Sequence, residues 1–394
     1  MECKRCGNKD PTYFYKGSKG YYCRKCVGFK RILLSEEINS KDYKIQELIS
    51  DYHFDYPLTA YQKEASNKTL RYLKEGLDVL LYCVCGAGKT EIVVESISDY
   101  LRRGLKVCYA ISRREVVIEL STRFQTIFKK AKVISVYGDH SDVLDGDLII
   151  CTTHQLFRYY QTFDLLIIDE VDAFPLSGNE TLMNICIKSC KGNIIYSTAT
   201  LNNFLKKYLR IRKYKQVSLY VRPSLKPLIV PSVIYGINVV NYLYLFYLLK
   251  KDNNQVIIFC SSKKICTRLY NIYKHVLDCT YVYSDLDRRN ENIIAFKNKE
   301  YKYIFSTTVL ERGITIKSVD IMILFDRKGA FNKASLIQMC GRVGRSITNP
   351  YGCSYILTSC FSKEINNCVK EIRKANEEYA MSILWWRDKW IFYI

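Results

Sequence analysis

The residues best suited to chemistry begin at Val84-Cys85-Gly86-Ala87-Gly88-Lys89-Thr90-Glu91. An apolar run, Asp78 to Cys83, precedes them, and a helical pattern opens at Thr90. Gly86 and Gly88, with Ala87 between them, let the backbone curl so that its N–H groups face a phosphate at a helix N-terminus. Lys89 then reaches the β/γ-phosphates and the Thr90 hydroxyl holds Mg²⁺. Cys83 stands where the full phosphate-loop pattern has its first glycine. A second group, Asp169-Glu170-Val171-Asp172, ends an apolar run, where an α/β site presents its acids. Asp169 would hold Mg²⁺ through water, and Glu170 would orient and deprotonate the attacking water. A third, Gln338 to Arg345, carries Arg342 and Arg345, expected three apart on one helix face. Phosphoryl transfer needs positive charge at the γ-phosphate, and arginines brought from a facing domain supply it. Taken singly, each has a plainer reading: a glycine turn, a helix cap, a solvated basic face. Together they make one catalytic set for ATP.

Another chemistry sits at the start of the chain. Cys3-x-x-Cys6 and Cys23-x-x-Cys26 are separated by sixteen residues, and no other C-x-x-C occurs among the remaining thirteen cysteines. This spacing fits four thiolates around a tetrahedral Zn²⁺ in a small ribbon. Thr12–Lys16 and Tyr21-Tyr22 are expected as its strands, joined by Gly17-Ser18-Lys19-Gly20. Lys16, Lys19, Arg24 and Lys25 with their aromatic neighbours could contact nucleic acid, or the tyrosines could pack the ribbon's own core. Seventeen cysteines in a chain of intracellular character point to reduced thiols. The start Met1-Glu2-Cys3-Lys4 has no apolar stretch of the kind a signal peptide needs.

These residues need rigid elements to hold them. Length of 394 residues allows two or three domains, and a net charge of +21 favours a polyanionic partner. From Asp78 to Thr200 short apolar runs alternate with helical segments, as in a parallel α/β sheet. The expected strands are Asp78–Val84, Lys106–Ile111, Leu148–Thr153, Leu165–Asp169 and Asn193–Thr198. Ser197-Thr198-Ala199-Thr200 closes the last, and small hydroxyls there suit coupling between domains. Pro223, Pro227 and Pro231 mark an exit. A second α/β series has strands Gln255–Ser261, Tyr303–Thr308, Ile321–Asp326 and Gly352–Leu357. The resulting division is a zinc ribbon at 1–30, a helical connector at 31–56, one parallel-sheet motor domain at 57–220, a linker at 221–236 and a second motor domain at 237–394 with an aromatic tail. Thr59 is expected to cap the first helix of the motor. The uncharged run Leu228 to Leu249 is long enough to span a bilayer, but Pro231, Gly236, Asn238 and Asn241 break it. It reads as a linker strand followed by a packed helix.

The series GAGKTE, TTHQ (Thr152 to Gln155), DEVD, STAT, TT-x-x-ERG (Thr307 to Gly313) and QMCGRVGR resembles the superfamily 2 DNA helicases and translocases across about 57–360. The DEVDAFP continuation, the preceding cysteine ribbon and the RP-x-x-x-P linker resemble the late-competence ComFA family in particular. The resemblance implies two tandem RecA-like domains and ATP hydrolysis stimulated by single-stranded DNA. It implies nucleotide contacts by Gln62, Gly86, Ala87, Gly88, Lys89, Thr90, Glu91, Asp169, Gly313, Arg342 and Arg345, and DNA contacts by Arg113, Thr152, Thr153, Thr307 and Thr308. Arg113-Arg114 stands where the family motif has a Pro-Arg pair. Also implied are ATP, Mg²⁺ and Zn²⁺, a cytoplasmic protein working at the inner face of the membrane, and partners in the DNA-uptake channel and a ComFC-like companion. Self-association is left open. Two other readings are open. A primosome-type restart helicase carries its zinc cysteines within the second motor half, whereas here they come first. A non-hydrolysing zinc-ribbon DNA-binding scaffold would be favoured by loss of Lys89, Glu170 or Arg345, and all three are present.

Overall fold

The computed structural model describes residues 1–36, 52–54, 56–313, 316 and 318–391. Much of the expected helical connector at 31–56 therefore lies outside the described residues. Its described start, 31–36, is an isolated bridge at Leu33 and a turn, not a helix. Contacts divide the chain into two compact units, Met1–Cys83 with Gly88–Leu219, and Val84–Ala87 with Tyr220–Ile394.

The first unit opens with the hairpin β1 (Phe14–Gly17) and β2 (Gly20–Cys23). There follow α1 (Ala60–Lys74), β3 (Asp78–Cys83), α2 (Lys89–Arg102), β4 (Val107–Ile111), α3 (Arg114–Ile127), β5 (Val133–Val136) and β6 (Leu148–Thr152). A 3-10 turn, Thr153–Arg158, then leads to β7 (Phe163–Ile168), α4 (Glu180–Ser189), β8 (Cys190–Thr198), α5 (Asn203–Leu209) and β9 (Tyr214–Leu219). The seven strands from β3 to β9 form one all-parallel sheet in the order β5-β6-β4-β7-β8-β3-β9. Its interior strands are apolar almost throughout because helices cover both faces, so no position can afford a solvent-facing side chain.

The second unit contains β10 (Ser232–Tyr235), α6 (Asn238–Lys251), β11 (Gln255–Cys260), α7 (Lys263–Tyr273), β12 (Cys279–Val282) and α8 (Arg289–Lys297). It continues with β13 (Tyr303–Ser306), β14 (Val319–Phe325), α9 (Lys333–Cys340), β15 (Ser354–Thr358) and α10 (Lys363–Ile391). Its sheet is also all-parallel, in the order β10-β15-β14-β11-β13-β12. Each unit is thus a RecA-like parallel α/β domain. The long run Leu228 to Leu249 is split between β10 and α6, and no helix among the described residues is long and apolar enough to cross a membrane. The aromatic tail lies on α10. That helix also holds the linker, since Asn376 exchanges hydrogen bonds of 2.8 and 2.9 Å with the backbone of Leu228.

The cysteine ribbon is not a separate body. Its cysteines, Phe14 and Ile32 belong to the same buried cluster as Leu156, Leu182 and Met183 of the motor domain. Asn184 on α4 donates to the Cys6 carbonyl at 3.0 Å, and the Phe29 ring stacks on His154 at 5.9 Å between centroids. Docking on α4 and on the 3-10 turn gives a ribbon too small for its own core an apolar surface to bury.

Thr59 caps α1 as expected, and in both directions: its hydroxyl accepts from the Gln62 N–H while the Gln62 side chain accepts from the Thr59 N–H at 3.0 Å. Replacing Thr59 by Ala removes the hydroxyl half of this box and should cost about 1 kcal/mol of stability. Urea unfolding followed by circular dichroism checks it; an unchanged midpoint contradicts the assignment.

Candidate active site and metal centre

The phosphate loop lies where β3 hands over to α2. Gly86 and Gly88 have φ of +81° and +86°, the left-handed region that side chains avoid. At Gly88 a Cβ would also fall 2.3 Å from Gln62 Nε2, so the close approach of α1 requires glycine as well. The capping box therefore presents the Gln62 amide to the loop. Lys89 is the first residue of α2, and its Nζ lies 4.0 Å from Asp169 Oδ1.

Asp169 follows the last residue of β7 and is buried. A buried carboxylate must be satisfied by donors, and Asp169 has three. Ser197 Oγ at the end of β8 donates to Oδ1 at 2.7 Å, the Glu170 N–H donates to Oδ1 at 2.9 Å, and Tyr109 Oη on β4 donates to Oδ2 at 2.7 Å. Glu170 has φ +52°, an uncommon conformation for a residue with a side chain and one found at functional turns. Asp172 accepts from Thr198 at 2.8 Å and from Thr200 at 2.7 Å, which ties DEVD to STAT. Thr90 and Asp169 offer a hydroxyl and a carboxylate oxygen, the hard donors Mg²⁺ takes.

Other expected site residues have protein partners of their own or differ in burial. Glu91 Oε1 accepts from Arg123 at 2.5 Å and from Tyr56 at 3.0 Å, bracing α2 against α3. Thr152, the last residue of β6, and Thr153, which opens the 3-10 turn, are both buried. Thr308 is exposed and Thr307 partly so, while Arg113, partly exposed, stands at the start of α3.

In the second unit Arg342 and Arg345 do not share a helix face. The helix α9 stops at Cys340, and the arginines lie in the following turn, where Gly344 takes φ +67° beneath the Pro350 carbonyl. Arg342 is buried and donates from Nε to the Glu311 carbonyl at 3.1 Å, which joins the ERG stretch ending at Gly313 to the arginine motif. Arg345 Nε donates to the Gly341 carbonyl at 3.0 Å. The turn is held by Arg222, from the RP of the linker, which donates to the carbonyls of Val343 at 2.7 Å and Gly341 at 2.9 Å. Burial, with the Arg345 charge nearby, pulls the Arg222 guanidinium down to about 10, so it is still a cation at neutral pH. The R-P pair was the sequence's sole sign of it. Nothing in the sequence pointed to Tyr109, which reads as one more apolar strand residue.

The four ribbon cysteines are all buried, with sulfurs within 4.8 Å of one another. Cys3 and Cys26 sulfurs are 3.7 Å apart, and those of Cys6 and Cys23 are 3.8 Å apart. Four ligands at about 2.3 Å around a tetrahedral ion sit about 3.8 Å from one another, so the cluster fits a metal of that size. Hydrogen bonds from Cys26 and Cys6 pull the Cys3 thiol down, while those with Cys3 and Cys6 push the Cys26 thiol up. The tyrosines do not form a core of their own. Tyr13, Tyr15 and Tyr21 are exposed, with Arg24 over the Tyr15 ring at 3.2 Å and Lys25 over Tyr13 at 5.4 Å.

Residues 59–208 match the DEAD/DEAH box helicase model, and 238–346 match the helicase conserved C-terminal domain. The chain is 32% identical to competence protein ComFA of Streptococcus pneumoniae over 96% of its own length and 91% of that protein's. With competence protein ComFA of Bacillus subtilis it shares 31% identity over 95% and 85%. The chain belongs to the ComFA family. It is accordingly an ATP-dependent helicase or translocase of the competence system. Solved structures agree on the fold. Yeast Dbp5 bound to RNA and ADP–BeF3 matches with TM-score 0.58 at 16% identity, covering 81% of this chain and 91% of that one. Mycobacterium smegmatis helicase Lhr bound to ssDNA and AMP-PNP matches with TM-score 0.59 at 15% identity, covering 81% and 50%.

Because ribbon and motor share one core, replacing Cys23 by Ser should do more than release the metal. It should also lower the melting temperature of the first unit by several degrees. Metal analysis with calorimetry tests this; full metal loss with an unmoved melt would mean that the ribbon is only an appendage.

Proposed function

We propose that this protein is an ATP-driven motor that tracks single-stranded DNA and helps draw transforming DNA into the cytoplasm. The observation that carries the catalytic part is the convergence of Lys89, at the start of α2, with Asp169 and Glu170, just past the end of β7. Lys89 binds the β/γ-phosphates, Thr90 and Asp169 hold Mg²⁺, and Glu170 accepts a proton from the attacking water. Bound Mg²⁺ would offset phosphate charge. Gln62, Gly86, Ala87, Gly88 and Gly313 contribute to nucleotide binding, and Arg342 and Arg345 supply transition-state charge from the second motor half.

The strand is gripped mainly through phosphates, since a motor must hold and release any sequence. Arg113, Thr152, Thr307 and Thr308 are the candidate contacts, and the net charge of +21 supports a polyanionic ligand. The ribbon takes Zn²⁺, and its exposed tyrosines paired with Arg24 and Lys25 suit unpaired bases. Family membership supports cytoplasmic work at the inner face of the membrane, beside the uptake channel and a ComFC-like partner.

Lys89→Ala and Glu170→Gln should each lower ATP hydrolysis about a hundredfold or more while single-stranded DNA binding survives, because both act on phosphate and water. Steady-state hydrolysis beside fluorescence-anisotropy DNA binding decides it. Near-parent hydrolysis in either variant would withdraw the site assignment.

A further inference from the structure

Tyr109 is a buried polar group in the first unit that the catalytic reading leaves without a task. It lies mid-strand on β4, 1% exposed, where a parallel strand covered on both faces ordinarily carries an aliphatic residue. A buried phenol needs a partner, and the Tyr109 hydroxyl donates to Asp169 Oδ2 at 2.7 Å. Asp169 is one of the side chains assigned to Mg²⁺.

We propose that Tyr109 is a positioning residue that sets Asp169 for Mg²⁺ by fixing how its carboxylate is turned. The proposal rests on the assignment of Asp169 above. The phenol hydrogen goes to Asp169 Oδ2, while Ser197 and the Glu170 N–H hold Oδ1. The carboxylate is thereby fixed at both oxygens, and each oxygen keeps further acceptor capacity. Because Asp169 as carboxylate can only accept, the phenol is the donor of this bond. The ring is held in place by packing on Phe124 at 5.5 Å between centroids. Ligands aimed before the ion arrives bind it more tightly than ligands that must reorient.

Tyr109→Phe keeps the ring and removes only the donor hydroxyl. The test titrates Mg²⁺ into the full-length protein with a fluorescent ATP analogue and reads binding, not turnover. The half-saturating Mg²⁺ concentration should rise about tenfold, the size of effect that outer-shell partners of metal ligands have. Affinity for the analogue in EDTA should stay at the parent value, which a merely structural lesion would not preserve. Should the phenylalanine variant not fold, Tyr109→Leu fills the site without a hydroxyl and serves the same comparison. An unchanged or lowered Mg²⁺ requirement in a folded variant overturns the proposal alone. Absence of any Mg²⁺ response in the parent would overturn it together with the site assignment it rests on.

Discussion

A carboxylate at the end of a fully covered strand must be satisfied by its neighbours, and the first unit is arranged around how Asp169 meets that demand. Parallel pairing places β7 between β4 and β8, so the two flanking strands are the ones that can reach it. Tyr109 comes from one and Ser197 from the other, with the Glu170 N–H closing the set. Because the same β8 end also supplies Thr198 to Asp172, displacement of either acid disturbs the STAT turn. Sheet order, strand register and acid placement are one constraint seen at three scales.

The second unit meets a related constraint with opposite charge. A turn rich in glycine and arginine cannot hold itself, and Arg222 supplies what it lacks by donating to the Gly341 and Val343 carbonyls. The linker is therefore part of the arginine site, and α10 holds the linker in turn through Asn376. The ribbon shows the same economy. It borrows the apolar surface of α4 and of the turn that begins at Thr153, so a metal at the four cysteines would stabilise a segment of the motor as well as the ribbon.

The sequence was most legible where burial was complete. The nine motor strands it marked, from Asp78–Val84 to Gly352–Leu357, are the interior strands of the two sheets, which need near-continuous apolar runs. Val133–Val136, Tyr214–Leu219 and Cys279–Val282 escaped it because they are edges, with one side free and correspondingly mixed composition. Chemistry followed a similar rule. Lys89, Asp169 and Glu170 announce themselves by residue type at a strand end. Tyr109 acts through one hydroxyl on an otherwise apolar strand, and periodicity cannot separate it from core. The helix expected under Arg342 and Arg345 failed for a local reason: Gly341 and Gly344 favour a turn over another helical cycle.

The central claim is that single-stranded DNA drives this ATPase. Measuring ATP hydrolysis by the full chain against single-stranded DNA, duplex DNA and RNA, at one salt concentration, tests it most directly. The account predicts that single-stranded DNA raises the rate well above the unstimulated level and above either alternative. Equal or greater stimulation by duplex DNA or RNA, or none by any of the three, would contradict it.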